Sequence, residues 1–227
     1  MIAQDVYKTV SSRIQDLTTP RRWPWDDPAT TEDPSLQDFL NNALLNVALQ
    51  RPDATATLVE ATLIAGPRQT LASDELSLLE CIEFISADES VKRAVTRIDR
   101  SEMDAFLVDW YSEETDSDGV WNWAYEKLSN PLVYWVSPGA AAGDKMKQVV
   151  SKRPVKVTSA ADDLEISELF KPALDAWVLY ELLSSDTDEF NPQKAMHFHQ
   201  SFYQILGVKI QADMAFPVKV REGSNVS

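Results

Sequence analysis

The two histidines of the chain, His197 and His199, stand two residues apart, a spacing that occurs in metal sites and beside general bases. The flanking residues predict a helix, because Asn191 and Pro192 suit its start and Gly207 suits its end. Each helical residue turns by about 100°, so the two imidazoles point about 200° apart and cannot share one metal ion. We expect His197 on the polar face and His199 in the apolar stripe, as a packing or interface residue.

A second candidate metal site is an alternation of acids in the middle of the chain. Glu114, Asp116 and Asp118 have the spacing of the first half of an EF-hand calcium loop. The acid that should close the loop falls instead at Tyr125. A hairpin turn at Asp118–Gly119 explains the residues better, so we predict no metal.

Motifs of nucleophilic and nucleotide chemistry are missing. The sequence has no G-x-S-x-G, no P-loop, no H-E-x-x-H and no G-x-G-x-x-G. The single cysteine, Cys81, lies in the apolar segment LLECIEF, where a buried and inert thiol is usual. We therefore predict no catalytic residue and no cofactor. An acidic enzyme with a carboxylate site in the β region remains the less favoured alternative.

The charge of the chain limits its partners. Among 227 residues, 21 are basic and 36 acidic, for a formal net charge of −15. Such a chain repels the nucleic acid backbone and anionic membranes. One cysteine forms no internal disulfide, and no segment has the apolar length of a signal peptide or a membrane span. We expect an intracellular protein that is not in a membrane.

Helical periodicity appears at both ends of the chain and β-strand patterns lie between them. Predicted helices cover Val6 to Leu17, the stripe from Leu36 to Ala48 with Asp33 as its cap and Pro34 in its first turn, Ser101 to about Tyr111, 168–184 and 192–206. Predicted strands cover 54–66, 76–87, 92–98, 120–128, 131–138 and 147–157. Gly66–Pro67 is interpreted as a turn, and Pro154 favours an edge position for the last strand.

This order of elements predicts an α+β fold that is mainly α. The N- and C-terminal helices, in residues 1–53 and 165–207, form an antiparallel bundle. Residues 54–164 form a β-rich insertion domain, and residues 208–227 form an extended C-terminal arm that becomes ordered on a partner.

Several spaced segments resemble the head-to-tail adaptor (connector) family of short-tailed (podovirus) bacteriophages. The segments are RIQDL and RRW (13–23), LQDFLNNALLNVALQRPDA (36–54), ATLIAGPRQTL (61–71), RIDRSEMD (97–104), NPLVYWVSPGA (130–140), KRPVKV (152–157) and the helix pair of 169–207. The helix ending in RPDA, the AG-x-x-Q turn and the terminal helix pair closing on LG are the most specific. The segment around Phe106 to Tyr111 and the DSDG turn follow the family pattern only loosely.

The resemblance implies a virion protein at the head–tail junction, assembled in the host cytoplasm. It implies a ring of twelve copies between the portal and the tail tube or nozzle, around a channel through which DNA passes without specific binding. No catalytic or cofactor residues come with the family. The alternative within the same class is another phage part, such as a tail tube or head-closure subunit.

Five residues are predicted interface residues. Trp121 and Trp123 lie in an aromatic strand, and tryptophan is favoured in assembly interfaces. Phe216 and Pro217 are the expected anchor of the arm, since Phe216 is its lone aromatic residue. His199 is the fifth, as above.

Overall fold

The computed structural model of the chain describes residues 1–17, 23–25, 35–107, 110–111, 119–128, 130–185 and 191–207. The chain divides into two units. The strand unit contains Leu44–Lys156 together with Met1 and Asp163–Ser167. The helical unit contains Ile2–Ala43, Val157–Asp162 and the chain from Glu168 onward.

The first helix, α1 (Ala3–Arg13), is shorter than its sequence pattern predicts. Gln15 adopts a left-handed conformation with φ of 62°. The amide of Gln15 donates to Ser12 O, and the amide of Asp16 donates to Ser11 O, at 3.3 and 2.9 Å. This is a Schellman ending, in which a residue usually occupied by glycine turns the chain out of the helix. The prediction that the helix continues to Leu17 is therefore wrong, and Leu17 is 65% exposed.

The second helix, α2 (Leu36–Gln50), is capped by Ser35. The Ser35 hydroxyl accepts from the Asp38 amide, while the Asp38 carboxylate accepts from the Ser35 amide at 2.9 Å. This reciprocal pair satisfies amides that a helix start leaves without partners. Asp33 and Pro34 lie outside the described residues. The predicted apolar stripe is confirmed, since all seven of its members are buried: Leu36, Phe39, Leu40, Ala43, Leu44, Val47 and Ala48.

The two C-terminal helices, α4 (Lys171–Ser184) and α5 (Pro192–Leu206), pack on each other. Ring contacts join Trp177 to Phe202 and Tyr180 to His199. Because the residue number increases along α4 while that of its partner decreases along α5, the two helices are antiparallel. Asn191 caps α5 through its side-chain oxygen, and Gly207 closes it with φ of 65°, as predicted. α1 also packs on α4.

The strand unit holds two four-stranded sheets and α3 (Arg100–Phe106). The first sheet has the order β1-β8-β3-β4, from β1 (Ala56–Thr62), β8 (Lys145–Lys152), β3 (Glu75–Ile85) and β4 (Lys92–Ala94). The second has the order β2-β7-β6-β5, from β2 (Gly66–Thr70), β7 (Val133–Ala140), β6 (Asn122–Tyr125) and β5 (Thr96–Arg97). All pairs are antiparallel except β5 with β6.

One apolar core joins the two sheets. It takes Leu78, Cys81, Phe84, Met146 and Val150 from the first sheet. It takes Trp123, Tyr134, Val136 and Ala140 from the second, with Leu63, Leu71 and Val120 beside them. Alternate residues of facing strands meet in this way in β-sandwiches.

The interpretation of Gly66–Pro67 as a turn is wrong, because β2 begins at Gly66. β2 is an edge strand with a bulge between Gly66 and Arg68, a position where proline costs no ladder hydrogen bond. The turn precedes it and is held by the buried Gln69 side chain. That side chain accepts from the Ile64 amide at 2.9 Å and donates to the Ile64 and Gly66 carbonyls at 2.8 and 2.9 Å.

The edge position predicted from Pro154 is also wrong. β8 ends at Lys152, before the proline, and lies in the interior of its sheet between β1 and β3. The proline therefore removes no donor from the ladder. The sequence did not predict that β8 lies inside its sheet, because its partner strands, β1 and β3, are far from it along the chain.

The strand predicted over 92–98 is two short strands in the structure, and the helix predicted from Ser101 to Tyr111 is α3, which spans Arg100–Phe106. β4 pairs with β3 while β5 pairs with β6, so the chain changes sheets at Val95. α3 then begins at Arg100, where the amide of Asp99 donates to the Glu102 carboxylate at 3.4 Å. The cap lies two residues before the predicted Ser101.

The described residues give a mixed α+β fold. Eight strands stand beside the helices, so the predicted predominance of helix and the complete antiparallel bundle are not confirmed. None of the described helices is both long and apolar enough to cross a membrane.

Candidate interaction surfaces

The α4–α5 pair carries an aromatic cluster that contains His199. Ring centroids lie 4.6 Å apart for Trp177 and Phe202, 4.7 Å for Tyr180 and His199, and 5.1 Å for His199 and Tyr203. Burial lowers the pKa of His199, since desolvation disfavours the imidazolium. The cluster packs the helices together and leaves His199 half-buried at its rim.

His197 is exposed, as predicted from the 100° turn per residue. Within the described residues, no group of three or more His, Cys, Asp or Glu side chains has the geometry to hold a metal ion. The predicted calcium-like acids Glu114, Asp116 and Asp118 lie outside the described residues, so the hairpin-turn interpretation stays a prediction.

A surface cleft of about 530 Å³ in the helical unit is lined by apolar and basic side chains. Ile14, Leu179, Leu183 and Phe198 contribute apolar surface, while Arg13, Lys194 and His197 line it with basic groups. Gln15 completes the described lining, which contains no acid. In a chain of net charge −15, this local reversal of sign favours an acidic partner. Its residues come from three helices or their ends, so periodicity alone did not group them.

Trp121 and Trp123 occupy opposite environments. Trp121 is 43% exposed, and the Arg93 guanidinium carbon lies 3.3 Å from its ring centroid. This distance allows a cation–π contact, and it leaves part of the indole for a partner. Trp123 is 2% exposed and belongs to the core between the sheets. Its predicted interface role is untested, and only a small part of its surface is available to a partner.

Two further arginines cover tryptophans in the strand unit. The guanidinium carbon of Arg97 lies 5.3 Å from the ring centroid of Trp123, and that of Arg100 lies 4.5 Å from that of Trp135. Together with Arg93 they form an arginine–tryptophan row. We did not predict this row, although the spacing of Arg93, Arg97 and Arg100 beside a Trp-rich segment was the available signal.

A second cleft of about 530 Å³, in the strand unit, has mixed charge. Lys152, Arg153, Asp74 and Glu165 line it. The Lys152 ammonium and the Asp74 carboxylate lie 3.1 Å apart, so half of this charge is already paired. Such a cleft offers polar contacts to a protein surface.

Cys81 has the environment predicted for it. Its side chain is 3% exposed, and burial raises the pKa of the thiol well above its usual range. The thiolate is the reactive form, so this cysteine is held inert.

The predicted arm residues Phe216 and Pro217 lie outside the described residues. The surfaces that the described residues form are apolar and aromatic patches with basic groups, together with one cleft of mixed charge. Aromatic residues and arginine are enriched where proteins contact one another.

Comparison with protein-family models matches the chain to SU10 adaptor protein over residues 1–221. A search of curated proteins finds no match to the chain.

Proposed function

The chain belongs to the SU10 adaptor protein family, a family of phage head-to-tail adaptors, and we propose that it acts as a ring of twelve copies joining the portal to the tail tube or nozzle. The observation that carries this proposal is the extent of the match, which runs from residue 1 to residue 221 and so includes both units. The family indicates a structural virion protein rather than an enzyme.

The charge of the chain supports a channel role. A ring of copies with a net charge of −15 each would surround DNA with a negative field. Because like charges repel, DNA would pass without adhering to the wall. The ring would assemble in the host cytoplasm and remain at the head–tail junction of the virion.

Within this ring, the helices of residues 1–53 and 165–207 form the ring body as an antiparallel bundle, and residues 54–164 form the insertion domain. The arm of 208–227 reaches a neighbour or the portal, with Phe216 and Pro217 as its anchor. Trp121 and His199 supply contact surface, and Trp123 lies in β6, the strand that begins directly after Trp121.

Electron microscopy of the purified protein with its portal tests this assignment. We expect twelve-fold rings stacked on the portal. Rings or tubes that bind tail proteins but not the portal would indicate another tail or head-closure subunit. A monomer with an ordered cleft and a bound metal would favour the acidic enzyme. Portal binding that survives deletion of 208–227 would refute contact of the arm with the portal, and ring assembly that also survives would refute its role altogether.

A matched pair of exposed residues tests the aromatic contact. Trp121 and Leu132 are each 43% exposed. Trp121→Ala should weaken ring assembly about tenfold or more, since a buried interface tryptophan is worth about 2 kcal/mol. Leu132→Ala removes a similar exposed fraction and should leave assembly nearly unchanged. Equal effects of the two variants, measured by analytical ultracentrifugation, would remove Trp121 from the interface.

A further inference from the structure

β1 is an outer strand with one side unpaired. It stands at the end of the order β1-β8-β3-β4 and pairs with β8 residue by residue, from Ala56 opposite Ser151 to Thr62 opposite Lys145, with no bulge. Each of its seven positions is exposed or half-buried. A regular, unbulged edge of this kind presents a row of amides and carbonyls to any strand that approaches.

The direction of the free amides follows from the end of the strand. The Leu63 amide donates to Asp144 O at 2.7 Å, toward the β8 side. Because successive amides of a strand point to opposite sides, those of Leu58, Glu60 and Thr62 point away from β8. Within the described part of the chain, no hydrogen bond to these three amides is found.

The other described edge strands are protected and β1 is not. β2 carries Pro67 and a bulge, β4 has three residues and β5 has two. β1 contains neither proline nor lysine, and its one charged residue, Glu60, forms an ion pair with Lys145 of β8 at 3.3 Å. Leu58 is 60% exposed on it, and Ile64 just after it is 57% exposed. The edge therefore fits an added strand that brings apolar side chains.

The C-terminal arm has the sequence of such a strand. Apolar residues stand at 208, 210, 212, 214 and 216 in VKIQADMAF, and polar residues at 209, 211 and 213. A two-residue period is typical of a strand with one apolar face. Pro217, which has no amide hydrogen, ends the pattern. Nine residues are enough to span the seven of β1, about 23 Å at the usual rise.

The charge of the arm also favours contact with another copy. Lys209, Lys219 and Arg221 outnumber Asp213 and Glu222, whereas the whole chain has a net charge of −15. A weakly basic arm is attracted to the acidic body of any copy it meets. β1 is exposed over the described part of a copy, which leaves its edge open to a strand from another copy.

We propose that residues 208–216 of one copy add to the β1 edge of a second copy as a fifth strand of its sheet. This is β-strand addition, in which main-chain hydrogen bonds supply affinity and alternate side chains supply specificity. The inference rests on the proposed assembly of copies, and it names the segment and the edge that join them.

Hydrogen–deuterium exchange with two isotopic forms of the full chain tests this pairing. A ¹⁵N-labelled Ala212→Pro chain keeps a normal β1 edge but has an arm that no longer pairs as a strand. On mixing with unlabelled wild-type chain, exchange of its β1 amides should slow about tenfold or more. Unlabelled Ala212→Pro chain should produce no slowing, and unlabelled Ala212→Val chain, the matched control, should restore it. As a second variant, Glu60→Pro in the labelled chain should abolish the slowing, while Glu60→Thr should retain it.

Absence of slowing with unlabelled wild-type chain would overturn the proposal. Equal slowing with the unlabelled Ala212→Pro chain would also overturn it, because an occupant other than the paired arm would then cover the β1 edge. A parallel series contains portal protein, and portal binding is scored by co-sedimentation. Slowing without portal binding would keep the strand pairing and reject the adaptor ring. Portal binding without slowing in either series would keep the ring and reject the pairing.

Discussion

At the scale of single residues, position 119 is one that only glycine can occupy without strain. Its φ is +77°, and a Cβ there would overlap the ring of Phe84, which is 1% exposed in the core. Gly119→Ala should lower the free energy of unfolding by about 2–4 kcal/mol, because backbone strain and overpacking add. Urea denaturation of the purified protein measures the loss.

Gly66→Ala is the matched control for this variant. Gly66 also has positive φ, +101°, but no atom lies within 4 Å of an added Cβ. The decrease in the free energy of unfolding caused by Gly66→Ala therefore measures backbone strain alone. If both variants lowered the free energy of unfolding equally, the Phe84 ring would move aside at no energetic cost, which would contradict its tight packing in the core.

His199 makes stability depend on pH. Burial lowers its pKa below the ordinary value of 6.5. The unfolded state therefore binds the proton more tightly, so stability is full above about pH 6.5 and falls as the pH drops from there toward the folded-state pKa. His199→Gln should reduce the loss of stability between pH 7.5 and 5.5, as measured by urea denaturation. The same change at the exposed His197 is the control, and an equal effect there would contradict the role of burial.

At the scale of elements, a buried charge joins α1 to α4. The Lys171 ammonium lies 3.0 Å from the Asp175 carboxylate and donates to the Thr9 hydroxyl at 2.7 Å. Asp175 is 4% exposed, and burial raises its pKa despite the lysine. Lys171→Met should cost about 2–4 kcal/mol at pH 7, because it leaves a buried carboxylate without its cation.

Two further variants separate the charge from the packing. Lys171→Met combined with Asp175→Leu should recover much of the loss, since no buried charge remains. Thr9→Ala removes the hydroxyl that accepts from Lys171 and donates to the Asp5 carbonyl, and it should cost about 1 kcal/mol. A double variant as unstable as Lys171→Met alone would show that the side-chain packing, not the charge, holds the helices.

Helix interiors were predictable and helix ends were less so. The stripe of α2 repeats within the helix itself, so local periodicity located it. The end of α1 depends on Gln15 in a conformation that favours glycine, and the start of α2 depends on the Ser35–Asp38 exchange of hydrogen bonds. The cap of α5 was predicted because Asn191 and Gly207 are the usual residues for those positions.

Strand pairing was the least predictable feature of the fold. β1 and β8 pair through residues 56 and 151, which are far apart in the sequence. No local pattern encodes such a partner. The same distance explains why Pro154 misled the assignment of the edge, and why the division of 92–98 between two sheets was missed.

At the scale of the whole molecule, charge should control self-association. Copies with a net charge of −15 repel one another at low salt. The Debye length falls from about 30 Å at 0.01 M to about 8 Å at 0.15 M ionic strength, so salt should raise the population of assembled copies. Sedimentation velocity at both ionic strengths measures this. Assembly that weakens with salt would show that attractive ion pairs between copies dominate instead.

The sequence by itself determined the acidity of the chain, the interiors of its main helices, the separation of His197 from His199 and the resemblance to phage adaptors. These properties follow from composition, from a period of 3.6 residues and from the order of short segments along the chain. Only the tertiary structure decided that Trp123 is in the core while Trp121 is partly exposed, and that β1 rather than β8 is the open edge. The physical reason is that burial and sheet order arise from contacts between residues distant in the chain, which no local pattern contains.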